Sequence, residues 1–283
     1  KKYVEQVTTY PTVTVHKSFF TDSQGYLILP KNLEIGHYRI EEVTAPDGYV
    51  VNKNYVEITV DSDTAYEVDG VSGDVIIEVS YEDQPVKGNL IVYKKGEMLF
   101  GFENDFIYKE QYLSGAEFEV RAAEDICTPD HQKDADGNRI VLYAKDTLVT
   151  TITTGESGKA VAKDLPLGRY YVVETKAPEG FVLNPEPVKV ALTYQDQETP
   201  IVEAEAIVGN DRQKVAISVE KQDAENGRVL SGAVFGIYNK KDIQANGKVL
   251  VKADTLLQEM TSDENGMATC TLDLPFGEYY VKE

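Results

Sequence analysis

The stretch that decides the fold reads Gly-Arg-Tyr-Tyr-Val-Val-Glu-Thr-Lys-Ala-Pro-Glu-Gly-Phe and runs from Gly168 to Phe181. Side chains alternate between the two faces of a β-strand, so Tyr170, Val172 and Glu174 share one face. Two apolar residues on that face predict that it is buried. A carboxylate at the end of such a stripe is costly unless it is paired or used in chemistry. Glu174 is therefore the first candidate functional residue.

This Glu motif occurs three times in the chain. Related versions are found at Gly36 to Tyr49 and at Gly277 to Glu283, where Glu42 and Glu283 occupy the position of Glu174. A second motif, Leu-Ser-Gly-Ala-x-Phe, occurs at Leu113 to Phe118 and at Leu230 to Phe235. Similar motifs that recur in the same order predict tandem copies of one domain.

The order of the motifs predicts three repeats. We expect the C-terminal part of a first repeat at 1–84, a complete central repeat at 85–211 and the N-terminal part of a third repeat at 212–283. The first repeat has a Glu motif without the second motif, and the sequence of the third stops at its Glu motif. We therefore expect the chain to be an internal piece of a longer array, which fits the lack of a recognisable signal peptide or sorting signal.

The residue pattern favours an all-β fold. Short runs rich in Val, Ile, Thr and Tyr are separated by Gly, Pro, Asp and Asn, as expected of strands joined by polar turns. Helical periodicity is weak, with a single helical turn expected at 122–126 and another at 240–243. We predict tandem Ig-like antiparallel sandwiches. The predicted strands are 12–16, 26–29, 56–60, 75–79, 90–93, 188–192 and 215–219.

Composition excludes several classes of function. A formal net charge of −20 repels the phosphate backbone of nucleic acids, so we do not expect the chain to bind DNA or RNA. No apolar run of 18 residues occurs, so this segment is not expected to enter a membrane. The acidic excess is typical of a secreted or cell-surface protein. Cys127 and Cys270 fall in different predicted repeats, so neither can form a disulfide within its own repeat.

No cofactor or metal site is predicted. His16, His37 and His131 are scattered without the spacing of a zinc site. The acidic loop from Asp134 to Asn138 differs from a calcium loop because its glycine is in the fourth place and no glutamate closes it. We interpret the loop as an exposed turn.

The central repeat brings three polar residues to inward positions. Lys94 ends an apolar stripe that begins at Leu90, and Asn210 ends another that begins at Ala204. With Glu174 they lie on strands near the start, the end and the middle of the repeat. The pattern alone leaves two interpretations open: an ordinary buried ion pair capped by Asn210, or a reactive centre.

The sequence resembles the SpaA-like or CnaB-type (prealbumin-like) domains of Gram-positive pilins and surface adhesins. The resemblance rests on Tyr-x-Val-x-Glu-x-x-Ala-Pro-x-Gly-Phe at Tyr170 to Phe181, on Leu-Ser-Gly-Ala-x-Phe, on the opening-strand lysine and on the closing Asn210-Asp211. In that family, a lysine and an asparagine join in a spontaneous isopeptide bond assisted by a glutamate. The resemblance implies that Lys94 is the nucleophile, Asn210 the electrophile and Glu174 the catalytic proton shuttle.

The same roles carry over incompletely to the other repeats. In the third repeat, Lys221 and Glu283 are present without a closing strand. In the first, Glu42 is present, and Asp83 replaces the usual asparagine, so a Lys–Asp bond there would release water. Lys17 shares a face with two valines, but we interpret it as a solvated lysine at a strand end.

The function expected from the sequence is a structural stalk of a Gram-positive cell-surface adhesin or pilus-like protein, held by Lys–Asn isopeptide bonds. Its partners would be neighbouring repeats of the same longer protein. The alternative is an adhesin module that recognises a host protein or glycan. Bond formation occurs once per molecule, so the chain is not expected to be a turnover enzyme. An extra stretch at 96–109, rich in Phe, is expected to pack on its own domain or to form an interdomain contact.

Overall fold

The computed structural model describes residues 2–61, 67–68, 75–130 and 132–283, with 67–68 and 75–76 described by their backbone alone. Every regular element in these ranges is a β-strand. The all-β prediction is confirmed. The single helical turns expected at 122–126 and 240–243 were wrong, because both segments turn directly from one strand into the next.

The strands are numbered in chain order. The first eight are β1 (Gln6–Thr8), β2 (Thr14–His16), β3 (Gly36–Glu41), β4 (Tyr49–Val50), β5 (Tyr55–Val60), β6 (Glu67–Val68), β7 (Val75–Ile76) and β8 (Gln84–Pro85). The next ten are β9 (Lys87–Phe102), β10 (Phe106–Tyr112), β11 (Glu117–Ala122), β12 (Ile126–Cys127), β13 (Val141–Tyr143), β14 (Leu148–Thr153), β15 (Lys159–Pro166), β16 (Gly168–Lys176), β17 (Val188–Leu192) and β18 (Ile201–Asn210). The last seven are β19 (Ser218–Glu220), β20 (Val234–Asn239), β21 (Ile243–Ala245), β22 (Lys248–Val251), β23 (Leu256–Thr261), β24 (Met267–Thr269) and β25 (Tyr279–Lys282).

The chain divides into two compact units. One contains residues 1–45 and 51–84, and the other contains residues 46–50 and 85–283. Within the first unit, β1 pairs with β2 and β3 pairs with β5, both antiparallel. The boundary between the central and third repeats near residue 211 lies inside the second unit and stays a prediction.

One predicted strand of the first unit is absent. Residues 26–29 form no strand, and the side chain of Ile28 is almost fully exposed. The equivalent segments of the other repeats are β15, which pairs with β9, and β24, which pairs with β19. In the described part of the first unit, no strand pairs with residues 26–29. A segment of residues that favour strands still needs a neighbouring strand, because the hydrogen bonds between strands hold it extended.

The central repeat is a sandwich of two sheets. In one sheet, β9 pairs with β10 and β15 in the antiparallel direction and with β18 in the parallel direction. The other sheet has the order β14-β11-β16-β17. Their inward side chains form one apolar core, in which Leu90, Val92, Phe118, Tyr170 and Val172 are fully or almost fully buried. Each large side chain of this kind contributes about 1.5–3 kcal/mol through burial.

The third repeat has the same strands in part. A three-stranded sheet, β23-β20-β25, and the pair β19-β24 enclose a second core that includes Phe235, Ile237 and Leu274. Among the described residues, no strand pairs with β19 in the place that β18 takes beside β9.

The tyrosine of the Glu motif fixes the start of its strand in every repeat. The hydroxyl of Tyr170 donates a 2.6 Å hydrogen bond to the carbonyl of Pro166, and Tyr279 makes the equivalent 2.6 Å bond to Pro275. Tyr38 donates to the carbonyl four residues upstream in the same way, at 2.7 Å. Burial raises the pKa of Tyr170 and of Tyr279, so both hydroxyls stay protonated as donors.

Candidate functional site

The two sheets of the central repeat bring Lys94, Glu174 and Asn210 together. Lys94 lies on β9 and Asn210 ends β18, the parallel neighbour of β9. Glu174 lies on β16 in the opposite sheet. The parallel ladder sets Val208 beside Lys94, and period two turns the next-but-one residue, Asn210, to the same inward face. Three segments far apart in the sequence therefore contribute one side chain each.

The three side chains form a closed triangle of polar contacts. The Nζ atom of Lys94 lies 2.5 Å from Oδ1 of Asn210 and 2.8 Å from Oε1 of Glu174. The Nδ2 atom of Asn210 donates to the same Oε1 at 3.0 Å. The residues are 0%, 2% and 8% exposed for Lys94, Glu174 and Asn210. Glu174 thus contacts both the amine and the amide nitrogen in a site that excludes solvent.

Burial has the largest effect on the Lys94 amine. Removal from water lowers the pKa of Lys94, and the hydrogen bond and charge of Glu174 act in the opposite direction without cancelling it. The uncharged, nucleophilic form of the amine is therefore more accessible than in an exposed lysine. The ring centre of Phe118 lies 5.8 Å from Nζ, and Phe118 pairs with Glu174 across β11 and β16.

A backbone amide holds the second oxygen of Glu174, which sequence reasoning missed. The N–H of Asn184 donates to Oε2 at 2.9 Å, so Oε1 is left to face Lys94 and Asn210. The same contact occurs in the first unit, where the N–H of Asn52 donates to Oε2 of Glu42 at 2.6 Å. The recurrence of an asparagine ten residues after each glutamate was the available signal.

Comparisons with known proteins agree with this fold. The sequence profile of the SpaA prealbumin-like fold domain matches residues 4–73, 107–206 and 215–283. The chain belongs to this family. The central matched segment contains Glu174, whereas Lys94 and Asn210 lie just outside it. A search among curated protein sequences gave no match.

Several solved structures are similar to this SpaA-family chain. The Bacillus anthracis TIE protein is 26% identical over 98% of the chain, with a TM-score of 0.56, and the chain spans 41% of that structure's length. The shaft pilin SpaA from Lactobacillus rhamnosus GG is 17% identical over 65% of this chain and 82% of its own, with a TM-score of 0.28. A streptococcal ancillary pilin is 15% identical over 95% of this chain and 71% of its own, with a TM-score of 0.31.

The equivalent residues of the first repeat form a carboxyl pair. Glu42 and Asp83 are both half-buried. Burial, followed by a hydrogen bond and the charge of Asp83, raises the pKa of Glu42 despite the amide of Asn52. Oδ1 of Asp83 is buried and accepts no hydrogen bond from the described residues. Lys17 is exposed and pairs with Glu5 at 3.5 Å, as expected of a solvated lysine.

The equivalent residues of the third repeat are in contact but remain accessible to solvent. Lys221 and Glu283 form an ion pair at 2.8 Å, with side chains 30% and 54% exposed. Since solvent screens such a pair, its contribution to stability is small.

The other candidate features are structural. Asp134 closes its loop by accepting backbone N–H groups of Asp136 at 3.0 Å and Asn138 at 2.9 Å. In the residues that the structure describes, no group of three or more His, Cys, Asp or Glu could hold a metal ion. His131 lies outside the described residues. Within the same limits, no helix long and apolar enough to cross a membrane occurs.

Proposed function

We propose that this chain is a load-bearing segment of a shaft on the surface of a Gram-positive cell, as in a pilus-like protein or an adhesin stalk. Membership of the SpaA family supports the structural role. The observation that carries the proposal is the buried triangle in the central repeat, where the Lys94 amine lies 2.5 Å from the Asn210 side-chain oxygen and both groups contact Glu174. The role of these residues is to form a covalent crosslink between β9 and β18.

The first step is attack of the neutral Lys94 amine on the side-chain carbonyl carbon of Asn210. Lowering of the Lys94 pKa by burial favours the reactive form. Folding holds the two groups in contact, so the reaction is effectively unimolecular. The bond that forms joins Nζ to Cγ, and the electron pair of the C=O bond moves to Oδ1.

The second step is loss of ammonia. Glu174 takes a proton from Nζ and delivers it to Nδ2, because its Oε1 contacts both nitrogens. The Cγ–Nδ2 bond then breaks, the carbonyl reforms and ammonia leaves. The products are one amide bond and one ammonia molecule, and the carboxylate returns to its initial state. No oxidant, metal or cofactor is consumed.

The position of the crosslink suits a shaft under tension. β9 and β18 are the first and last long strands of the central repeat and lie side by side in parallel. Force that enters through one and leaves through the other would otherwise shear their hydrogen-bond ladder. A covalent bond from Lys94 to Asn210 carries that force directly, so the other strands of the sandwich bear no load.

Intact-mass spectrometry of the purified, unfolded chain tests the proposal. The expected mass is that of the sequence minus one ammonia, with a branched peptide joining the segments of Lys94 and Asn210. Lys94→Ala and Glu174→Ala should each restore the full mass calculated for the variant. Lys95→Ala is the matched control, because this neighbouring lysine is paired with Glu110 on the sheet surface and should leave the ammonia loss intact. A folded wild-type chain of unmodified mass would contradict the proposal.

A further inference from the structure

The feature that the proposed function does not use is an insertion in the central repeat. Between Lys94 and Leu113 the sequence runs 19 positions (113 − 94), whereas the equivalent Lys221 and Leu230 are 9 positions apart (230 − 221). In both repeats the leucine N–H donates to the lysine carbonyl at 2.9 Å. The third repeat spans this hydrogen bond with a short loop, and the central repeat has the insertion between the same two bonded residues. We call residues 96–112 the central hairpin.

The central hairpin is built from the far end of β9 and all of β10. β18 ends at Asn210, opposite Gly96, while β9 continues to Phe102 and pairs with β10. At the base of the hairpin the backbone of Gly96 packs against Phe181 and Leu113, and a side chain at this position would collide with both. Beyond this point the two strands extend past the sandwich from which they come.

The end of the central hairpin is packed into the core of the third repeat. Phe106 is 5% exposed and belongs to the apolar cluster that contains Phe235 and Ile237. Phe102 contacts Phe106, with ring centres 4.7 Å apart and the ring planes tilted by 45°. Phe100, on the same hairpin, is 43% exposed and lies outside that cluster. One face of the hairpin therefore packs against the core of the third repeat, and the other face does not.

A buried arginine joins the two repeats beside the hairpin. Arg212, two residues after Asn210, forms an ion pair with Asp273 of the third repeat, and its guanidinium lies 3.6 Å from the ring centre of Tyr108 on the hairpin. The Tyr108 hydroxyl donates to the Asp273 carbonyl at 2.9 Å. Asp105, at the hairpin turn, accepts the N–H of Asp273 at 3.3 Å.

The arginine is surrounded so closely that movement of the repeats would be costly. Its side chain is almost fully buried, and its Nε makes no hydrogen bond with any residue that the structure describes but lies 3.8 Å from Glu97 of the hairpin. A buried guanidinium that loses one carboxylate partner is left as an uncompensated charge. Rotation of the third repeat away from the hairpin would separate Arg212 from Glu97 and from the Tyr108 ring, and would expose Phe106 to water.

We infer that the central hairpin is an interdomain brace whose binding partner is the third repeat, and that it makes these two repeats move as one rigid body. Domains joined by short polar linkers are otherwise expected to move relative to each other unless their interface is large and apolar. This inference does not depend on the isopeptide bond, since none of its contacts involves Lys94 or Glu174.

Residual dipolar couplings of the full chain test the brace. In the wild-type chain, backbone amides of 85–211 and of 212–283 should fit one alignment tensor. A graft that replaces 95–112 with the short loop 222–229 should leave the central repeat folded, because the third repeat closes the same hydrogen bond with that loop. The two repeats of the graft should then need separate tensors.

Two point variants sharpen the test. Arg212→Gln removes the charge while keeping much of the side-chain volume, and Phe106→Ser removes the apolar contact at the hairpin end. Each should separate the tensors and should speed amide exchange at Phe235 and Ile237 by at least about tenfold, the ratio expected for losing one buried side chain. Phe100→Ser is the matched control and should change neither. Separate tensors in the wild-type chain, or one shared tensor in the graft, would overturn the inference.

Discussion

The central and third repeats place a lysine and a glutamate at matching positions, but the two pairs differ in their surroundings. Lys94 and Glu174 are almost completely buried, whereas Lys221 and Glu283 remain partly in solvent although their charged atoms are equally close, at 2.8 Å. The difference follows from β18, which pairs alongside β9, the strand of Lys94, and brings Asn210 to the lysine and glutamate. Proximity of the two charges is thus common to both sites, and desolvation distinguishes them.

The first repeat extends the comparison. Its Glu motif forms the same tyrosine and amide contacts as the central one, at Tyr38 and Asn52. The residue that faces Glu42 is Asp83, and burial together with this second carboxyl group raises the glutamate pKa. The tyrosine and amide contacts around the glutamate are therefore the same in both repeats. The two repeats differ in the charged group that faces the glutamate.

The largest expected effect comes from removing the electrophile of the central repeat. Asn210→Ala prevents the crosslink but keeps the ion pair between Lys94 and Glu174. The crosslink closes a loop of 116 positions, for which chain entropy predicts about 5 kcal/mol of stabilisation. We expect the unfolding free energy of the central repeat, measured by chemical denaturation, to fall by about that amount.

Asn89→Ala is the control for this variant. Asn89 lies on the same strand as Lys94, and its side chain makes long, exposed hydrogen bonds at 3.3 and 3.5 Å. Its loss should change the unfolding free energy by less than about 1 kcal/mol. Equal losses for the two variants would show that Asn210 contributes no crosslink.

The next largest effect is a difference in hydrogen exchange between repeats of the wild-type chain. Residues such as Leu90 and Val92 lie in a sandwich closed on both sides, whereas 26–29 have no partner strand in the described part of the chain. Amides of β9 should exchange at least about a hundredfold more slowly than those of 26–29, because local opening free energies range from near zero to that of global unfolding. Similar exchange rates in the two segments would contradict the predicted difference.

Much of the central site could be predicted from the sequence, because period-two patterns identify which residues share a face. Lys94, Glu174 and Asn210 each end an apolar stripe, and the structure brings all three together. A one-dimensional pattern does not specify which strands become neighbours. For this reason the sequence predicted a strand at 26–29, where the described part of the chain provides no strand for pairing.

The contacts that position the site depend on tertiary structure in the same way. The Asn184 amide reaches Glu174 across a turn, through a backbone group that every residue type possesses. The sequence shows an extra Phe-rich stretch at 96–109 but leaves two expectations open for it, packing on its own domain or an interdomain contact. Only the fold shows that Phe106 enters the core of the third repeat and that Phe100 does not.

A smaller effect is expected from pH. Burial lowers the pKa of Lys94, and the reactive species is the neutral amine, so bond formation should accelerate as pH rises toward that lowered pKa and should level off above it. Below the lowered pKa the rate should rise up to about tenfold per pH unit. Mass spectra taken during cell-free synthesis at pH 6 to 9, with Glu174→Ala as the unreactive control, measure the rate. A rate that falls with rising pH would contradict the lysine nucleophile.

The smallest expected effect is at Glu283. Because its side chain is more than half exposed, Glu283→Ala should leave both the ammonia loss and the thermal midpoint of the chain unchanged. Glu174→Ala, made in parallel, should abolish the ammonia loss. If Glu283→Ala also abolished the ammonia loss, Glu283 would have to act on the central site. The two repeats could then no longer be compared as separate sites.

The parallel pairing of β9 and β18 also determines where the chain enters and leaves the central repeat. Two parallel neighbours start at one end of a sheet and finish at the other, so the polypeptide enters near Lys87 and leaves near Asn210 at the opposite end. Their ten-residue ladder, at about 3.3 Å per residue, advances the chain by about 30 Å. An antiparallel pair would have returned it to its starting point. The central repeat therefore increases the distance that the polypeptide spans as well as its mass.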